Sequence, residues 1–85
     1  MMNLVWVTDA QYVKDYIIEL TFNDGIHKKV DLANLLNKRV KLFGPLLDKE
    51  VFKAFKLDTW TLTWLDGRLD IAPESLYEMA ATAEK

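Results

Sequence analysis

Tyr16, Ile18, Leu20 and Phe22 alternate with Ile17, Glu19 and Thr21, a period of two that predicts a half-buried β-strand. Asn23-Asp24-Gly25 then reverses the chain. A three-residue turn with Gly25 in the left-handed region opposes Phe22 to Ile26 and Ile18 to Val30. A two-residue turn would instead oppose Phe22 to His27 and Leu20 to Lys29, mixing apolar and charged residues on one face. The three-residue register is therefore expected, with Lys28 as its one misfit. Upstream, Leu4 to Val13 predicts a first strand, irregular near Asp9-Ala10 and joined to the next by a loop at Lys14-Asp15.

A second hairpin is expected around Asp66-Gly67, a dipeptide that tolerates the positive φ angles of a tight turn. A two-residue turn there pairs Trp64 with Leu69 and Leu62 with Ile71. It puts Trp60, Leu62, Trp64, Leu69 and Ile71 on one buried face. Pro73 suits the first turn of a helix, where its missing N–H leaves nothing unsatisfied, and Leu76, Tyr77 and Ala80 would form that helix's inner face. Between the hairpins, Asp31 predicts an N-cap for a short helix with Leu32, Leu35 and Leu36 on one side. Asn37-Lys38-Arg39 is polar and expected at the surface. Phe43-Gly44-Pro45-Leu46-Leu47 predicts a turn leading into one helical turn. Asp48 predicts the cap of a helix through Phe55 with Val51, Phe52 and Phe55 inward. The sum is an α+β domain over residues 1–85. An antiparallel sheet of about five strands (two hairpins plus the N-terminal strand) packs with two short middle helices and a C-terminal helix. A flexible tail is expected from about residue 81.

Composition narrows the chemistry. There is no cysteine among the 85 residues, which removes disulfides, thiolate nucleophiles and Cys-based zinc sites together and makes a cytoplasmic protein the simplest expectation. The apolar Met1 to Val7 stretch is too short for a membrane span and follows no basic region. The formal net charge of −2 hides an asymmetry. Residues 28–56 carry eight Lys/Arg against three acids, and the remainder carries three against ten. Within that basic middle, Lys38, Arg39, Lys41, Lys49 and Lys53 are the candidate phosphate contacts of a nucleic-acid binder; a solvated helical middle with acidic turns and caps is the favoured expectation.

Several of these runs together resemble one family. They are Tyr16-x-Ile18-x-Leu20-x-Phe22-Asn23-Asp24-Gly25, Val30-Asp31-Leu32, and Phe43-x-Pro45-Leu46-x-Asp48 with Phe52. A second group is Trp64-x-Asp66-Gly67 followed by Asp70-Ile71-x-Pro73-Glu74-x-Leu76-Tyr77. The pattern is similar to the bacterial domain-of-unknown-function family 2442, from about Val5 to Glu78. Asp24, Gly25, Trp64, Asp66, Gly67, Asp70, Pro73, Leu76 and Tyr77 form the structural signature, and proline is frequent in the family where this chain has Leu65. The resemblance implies short proteins, some fused to a helix-turn-helix module, which is not expected here, and many encoded beside another small protein as toxin–antitoxin pairs are. It implies no catalytic residues.

The residues themselves offer little for catalysis. Ser75 and His27 are the sole serine and histidine, and a functional pair between them is not expected. Asp66, Asp70, Glu74 and Glu78 recur every four residues, but Asp66 belongs to the turn and Glu74 to the positive end of the last helix. Asp70 is expected to brace the corner between them. Three isolated glycines cannot make a phosphate loop. No metal or other cofactor is therefore expected. The expectation is a non-enzymatic protein-interaction or regulatory module, in the family's terms the antitoxin-like half of a small gene pair. The alternative is a nucleic-acid-associated regulator using the basic middle. A protein partner or a second copy would dock on a sheet edge at Val5, Trp6 and Val7, a β-prone run guarded by no proline.

Overall fold

A computed structural model describes residues 4–58 and 60–82. The element order is β1 (Val7–Lys14), β2 (Ile17–Phe22), β3 (His27–Asp31), α1 (Ala33–Lys38), α2 (Val40–Phe43), a 3₁₀ turn (Gly44–Leu47), α3 (Lys49–Lys53), β4 (Lys56–Leu57), β5 (Leu62–Trp64), β6 (Leu69–Asp70) and α4 (Pro73–Thr82). The α+β class is as the alternation implies. The single five-stranded sheet is not: six strands form two antiparallel three-stranded sheets, β1-β2-β3 and β4-β5-β6. Where a tail was expected from about residue 81, α4 continues through Thr82; positions 83–85 lie outside the described residues.

The first sheet has the predicted register. Ile18 opposes Val30 and Leu20 opposes Lys28, while the Phe22 N–H donates to the Ile26 carbonyl at 2.8 Å. Gly25 takes the left-handed conformation, φ +91°, that only glycine adopts without strain. The irregularity expected in the first strand is present as register shifts between Val7 and Asp9 and between Tyr12 and Lys14. Leu4 to Trp6, however, precede the strand instead of belonging to it.

Of the two predicted caps in the middle segment, Asp48 is the N-cap of α3, whereas Asp31 ends β3 and Leu32, with no side-chain cap bond, is the N-cap of α1. Asp31 Oδ1 accepts the Ala33 N–H at 3.0 Å, and Asp48 Oδ1 accepts the Glu50 N–H at 3.0 Å. α3 ends at Lys53, two residues short of the predicted Phe55, because Lys56 and Leu57 leave to pair with Thr63 and Leu62. That two-residue strand has no alternation to betray it.

The second hairpin keeps its predicted register, with Trp64 opposite Leu69. Its turn is left-handed through three residues: φ is +55° at Leu65, +58° at Asp66 and +88° at Gly67. The Gly67 N–H reaches the Trp64 carbonyl at 3.1 Å. A proline at Leu65, frequent in the resembled family, could not adopt this φ. Trp60 departs from expectation. It is 53% exposed, whereas Leu62 and Trp64 are 0% and 1%. In the same register Trp60 would oppose Pro73, which opens α4, so sheet pairing has already ended. The Asp58 N–H instead donates to the Thr61 carbonyl at 2.9 Å. That bond closes the reversal between β4 and β5 and leaves Trp60 on the connection.

The core joins the two sheets through α3. The Phe52 ring stacks on Trp64 at 5.9 Å and meets the edges of Tyr16 at 5.2 Å and Tyr12 at 6.2 Å. The Trp64 indole N–H donates to the Phe52 carbonyl at 2.9 Å, satisfying the one polar atom that its burial would otherwise strand. The Tyr16 hydroxyl donates to the Leu47 carbonyl. On the far side, Leu76 and Ala80 of α4 are fully buried, and the Tyr77 hydroxyl donates to Asp24 Oδ2 at 2.5 Å, tying the last helix to the first hairpin turn.

Trp64→Ala removes a stacked ring and orphans a carbonyl partner, so it should cost about 3–5 kcal/mol in denaturant unfolding. A loss below about 1 kcal/mol would show that the ring is not a core element. The Tyr77–Asp24 bond sets a pH response. The Tyr77 hydroxyl, then the Ile26 N–H, hold the Asp24 carboxyl below its ordinary value. The same bond, reinforced by burial, raises the Tyr77 phenol. A depressed carboxyl stabilises the fold above its unfolded value near 4, and this is lost as pH falls through the folded value; a raised phenol stabilises below about 10, and this is lost as pH rises through its own. NMR titration should find the Asp24 midpoint higher in Tyr77→Phe than in wild type. An unchanged midpoint would mean that the bond does not form in solution.

Candidate functional site

Asn23 organises one end of the molecule. Its side-chain carbonyl accepts the Trp6 N–H at 2.9 Å, its Nδ2 donates to the Leu4 carbonyl at 3.0 Å, and its own N–H donates to the Trp6 carbonyl at 2.9 Å. A single turn residue thus holds the segment before β1 in place on one side. On the other side the Val7 N–H donates to the Trp60 carbonyl at 2.9 Å. β1 is an edge strand of its sheet, as expected, with the Val7 N–H at its start already taken by Trp60. Val7 is 1% exposed and offers no side chain to a partner. Val5 and Trp6 are half-buried.

Fixing both segments brings Trp6 and Trp60 together, edge to face, with ring centres 5.4 Å apart and planes at 86°. They border a groove of about 520 Å³ whose lining also includes Leu4, Val5, Pro73 and the carboxylate residues Asp70 and Glu74. Leu4 is 67% exposed and Trp60 53%. Large apolar side chains left this open and gathered in one concavity are the material from which contact surfaces are built, and tryptophan is among the residues most often found at their energetic centre. Asp70, expected to brace the strand-to-helix corner, makes no hydrogen bond to it among the described residues and lies on the groove's rim. It also borders a second cleft of about 280 Å³, with Leu35, Arg39, Leu42, Phe43 and Ser75. The two depressions share Asp70 and Ala72.

The five candidate phosphate contacts are divided. Lys49 pairs with Asp15 at 3.2 Å and Lys53 with Glu50 at 3.4 Å. Their ammonium groups also lie over the Tyr16 and Tyr12 rings, at 5.8 and 5.7 Å. The Asp15 carboxylate raises the Lys49 ammonium above its ordinary value. Lys38, Arg39 and Lys41 are exposed and make no ion pair among the described residues. The basic middle is thus partly neutralised by the protein's own acids.

The remaining signature residues build structure. Asp24 accepts the Ile26 N–H at 3.0 Å, Gly25, Asp66 and Gly67 supply left-handed turn positions, and Pro73 opens α4. His27 is held on the first sheet by Glu19 at 2.6 Å and Thr21 at 2.7 Å, while Ser75 lies in the first turn of α4. The Thr21–His27–Glu19 row places a hydroxyl, an imidazole and a carboxylate in contact, an arrangement that the single-histidine reading of the sequence missed. It sits on the open face of the sheet, with the His27 side chain 57% exposed. Thr21 and His27 are direct cross-strand neighbours, so the row is the polar ladder such pairs form. Among the described residues no cluster of three or more His, Asp or Glu could hold a metal ion, and no helix is long and apolar enough to cross a membrane.

Trp60 and Asn23 are the site residues that sequence reasoning missed. The signal for Trp60 was the register itself, which sets it against the helix-opening Pro73. For Asn23, a turn residue whose long-range role is carried by its side chain, no sequence signal existed.

No curated protein and no solved structure matches the chain. The family model described as "Protein of unknown function (DUF2442)" matches residues 7–82, spanning both sheets and all the helices, and the chain belongs to that family.

Proposed function

We propose that this chain is a non-enzymatic protein-interaction module of the bacterial cytoplasm, an antitoxin-like half of a small gene pair. In this reading it docks a segment of another protein in the Trp6–Trp60 groove. The observation that carries the proposal is the pairing of a 53% exposed Trp60 with Trp6 at 5.4 Å beside a 67% exposed Leu4. An acidic rim directs the choice of occupant. Asp70 and Glu74 line the groove, and among the described residues no Lys or Arg does, so a segment carrying positive charge is favoured over an acidic one or a nucleic acid. The contact differs from strand addition at Val5–Val7, because the Trp6 N–H and carbonyl are bonded to Asn23 and the Val7 N–H to Trp60. Of the five candidate phosphate contacts, Lys38, Arg39 and Lys41 make no ion pair among the described residues, while Lys49 and Lys53 are tied to Asp15 and Glu50, which weakens the nucleic-acid reading.

The test is co-expression with the protein encoded beside it. Trp60→Ala removes a half-exposed ring and should cost less than about 1 kcal/mol of stability. It should lower affinity for the partner by about 2 kcal/mol or more, read by calorimetry on the purified pair. A complex of unchanged affinity in Trp60→Ala would overturn the groove as the contact. Co-purification with nucleic acid that is released by Lys38→Glu with Arg39→Glu would overturn the protein-partner reading itself.

A further inference from the structure

We propose that the groove is a seat for a guanidinium group: the partner residue at its centre is an arginine, held over the Trp6–Trp60 pair and against Asp70 and Glu74. The inference rests on the docking role proposed above and names the chemistry of the bound residue.

Three features of the groove converge on a flat cation with an apolar stem. First, the two indoles pack edge to face, at 86°, and line the groove together, where the 53% exposed Trp60 leaves ring surface open. A guanidinium stacks on the face, where the π-cloud is negative, while its methylene stem packs against apolar neighbours. Leu4, Val5 and Pro73 supply that apolar wall. Second, the carboxylates have no cation of their own. Neither Asp70 nor Glu74 belongs to any ion pair among the described residues, and both border the cavity. Third, the local charge keeps its sign after the helix is counted. The N-terminus of α4 brings a partial positive charge of roughly half a unit, and Arg39 lines the adjoining cleft past Asp70; against the two carboxylates these leave the groove, which no Lys or Arg lines among the described residues, on the negative side.

Arginine is favoured over lysine because its planar fork meets a carboxylate with two parallel N–H donors and stacks on indole while remaining weakly hydrated. The adjoining Leu35–Leu42–Phe43 cleft continues the surface past Asp70, giving an extended segment room for an apolar side chain beside its arginine.

The test uses the intact protein and three small probes: the N-acetyl methylamides of arginine, of citrulline (its neutral isostere) and of norleucine. The indole N–H resonances of Trp6, Trp60 and Trp64 are followed by NMR. Trp64, bonded to the Phe52 carbonyl inside the core, is the internal control. The arginine probe should shift Trp6 and Trp60 saturably, with a dissociation constant on the order of millimolar, and leave Trp64 in place. Citrulline and norleucine should bind about fivefold more weakly or worse, and Asp70→Asn with Glu74→Gln should reduce arginine to the citrulline level. Equal binding of arginine and citrulline would overturn the cation seat while leaving the apolar groove intact. So would arginine binding that survives the double substitution. A shift that moves Trp64 as much as Trp60, or no shift with arginine, would overturn it outright. The partner experiment with Trp60→Ala judges the docking role separately.

Discussion

Phe52 sits between the two sheets, and the rest of the structure is arranged around it. Its ring lies against Tyr12 and Tyr16 on one side and Trp64 on the other, while its backbone carbonyl takes the Trp64 indole proton. A domain this small buries too little surface for two independent cores. Two three-stranded sheets, each marginal alone, become one cooperative unit only through a shared aromatic cluster. α3 is five residues long, far below the length at which helices hold themselves, so its stability also comes from that packing. Lys49 and Lys53 flank the cluster, each paired with a carboxylate and lying over a tyrosine of the β1–β2 hairpin. The basic middle of the chain is in this way partly a structural device.

Anchoring Trp64 inward has a consequence for the surface. Strand β5 is three residues long because its partner β6 ends where Pro73 starts α4, so the apolar pattern that continues backwards to Trp60 has no sheet to lie in. Trp60 therefore falls on the connection between strands, where its carbonyl accepts the Val7 N–H and its ring meets Trp6. Asn23 completes the arrangement from the opposite side. The groove arises where the two sheets fail to merge into one, and the acidic residues at its rim come from the same β6–α4 corner that ends the pairing.

Much of this was legible in the residues. Both hairpin registers follow from Gly25 and Asp66-Gly67 together with the sidedness of the flanking apolar residues. Asp48 and Pro73 mark helix starts because their chemistry suits the first turn, whereas Asp31 lies one residue before the α1 cap, Leu32. The division into two sheets was not legible, since Lys56–Leu57 is too short and too exposed to carry a period, yet it decides which strands are neighbours. Trp60 was misplaced by trusting alternation beyond the point where its cross-strand partner became a proline. Val5 and Trp6 were singled out for a sheet edge; β1 is one, although Asn23 holds Trp6 and the Val7 N–H is bonded to Trp60. Their place beside the groove depends on Asn23 and Trp60, contacts separated by long stretches of chain. Function was the least legible of all, because a contact surface needs no residue type that the core does not also use.

The central claim is that the two tryptophans four residues apart have opposite fates, Trp64 locked in the core and Trp60 open at a contact surface. Hydrogen exchange at the indole N–H groups of the native protein tests it directly. The account predicts that Trp60 exchanges almost as fast as free indole, whereas Trp64 is protected on the order of a thousandfold or more, opening only with global unfolding. Comparable protection at both would place Trp60 in the core and remove the groove on which the functional reading rests.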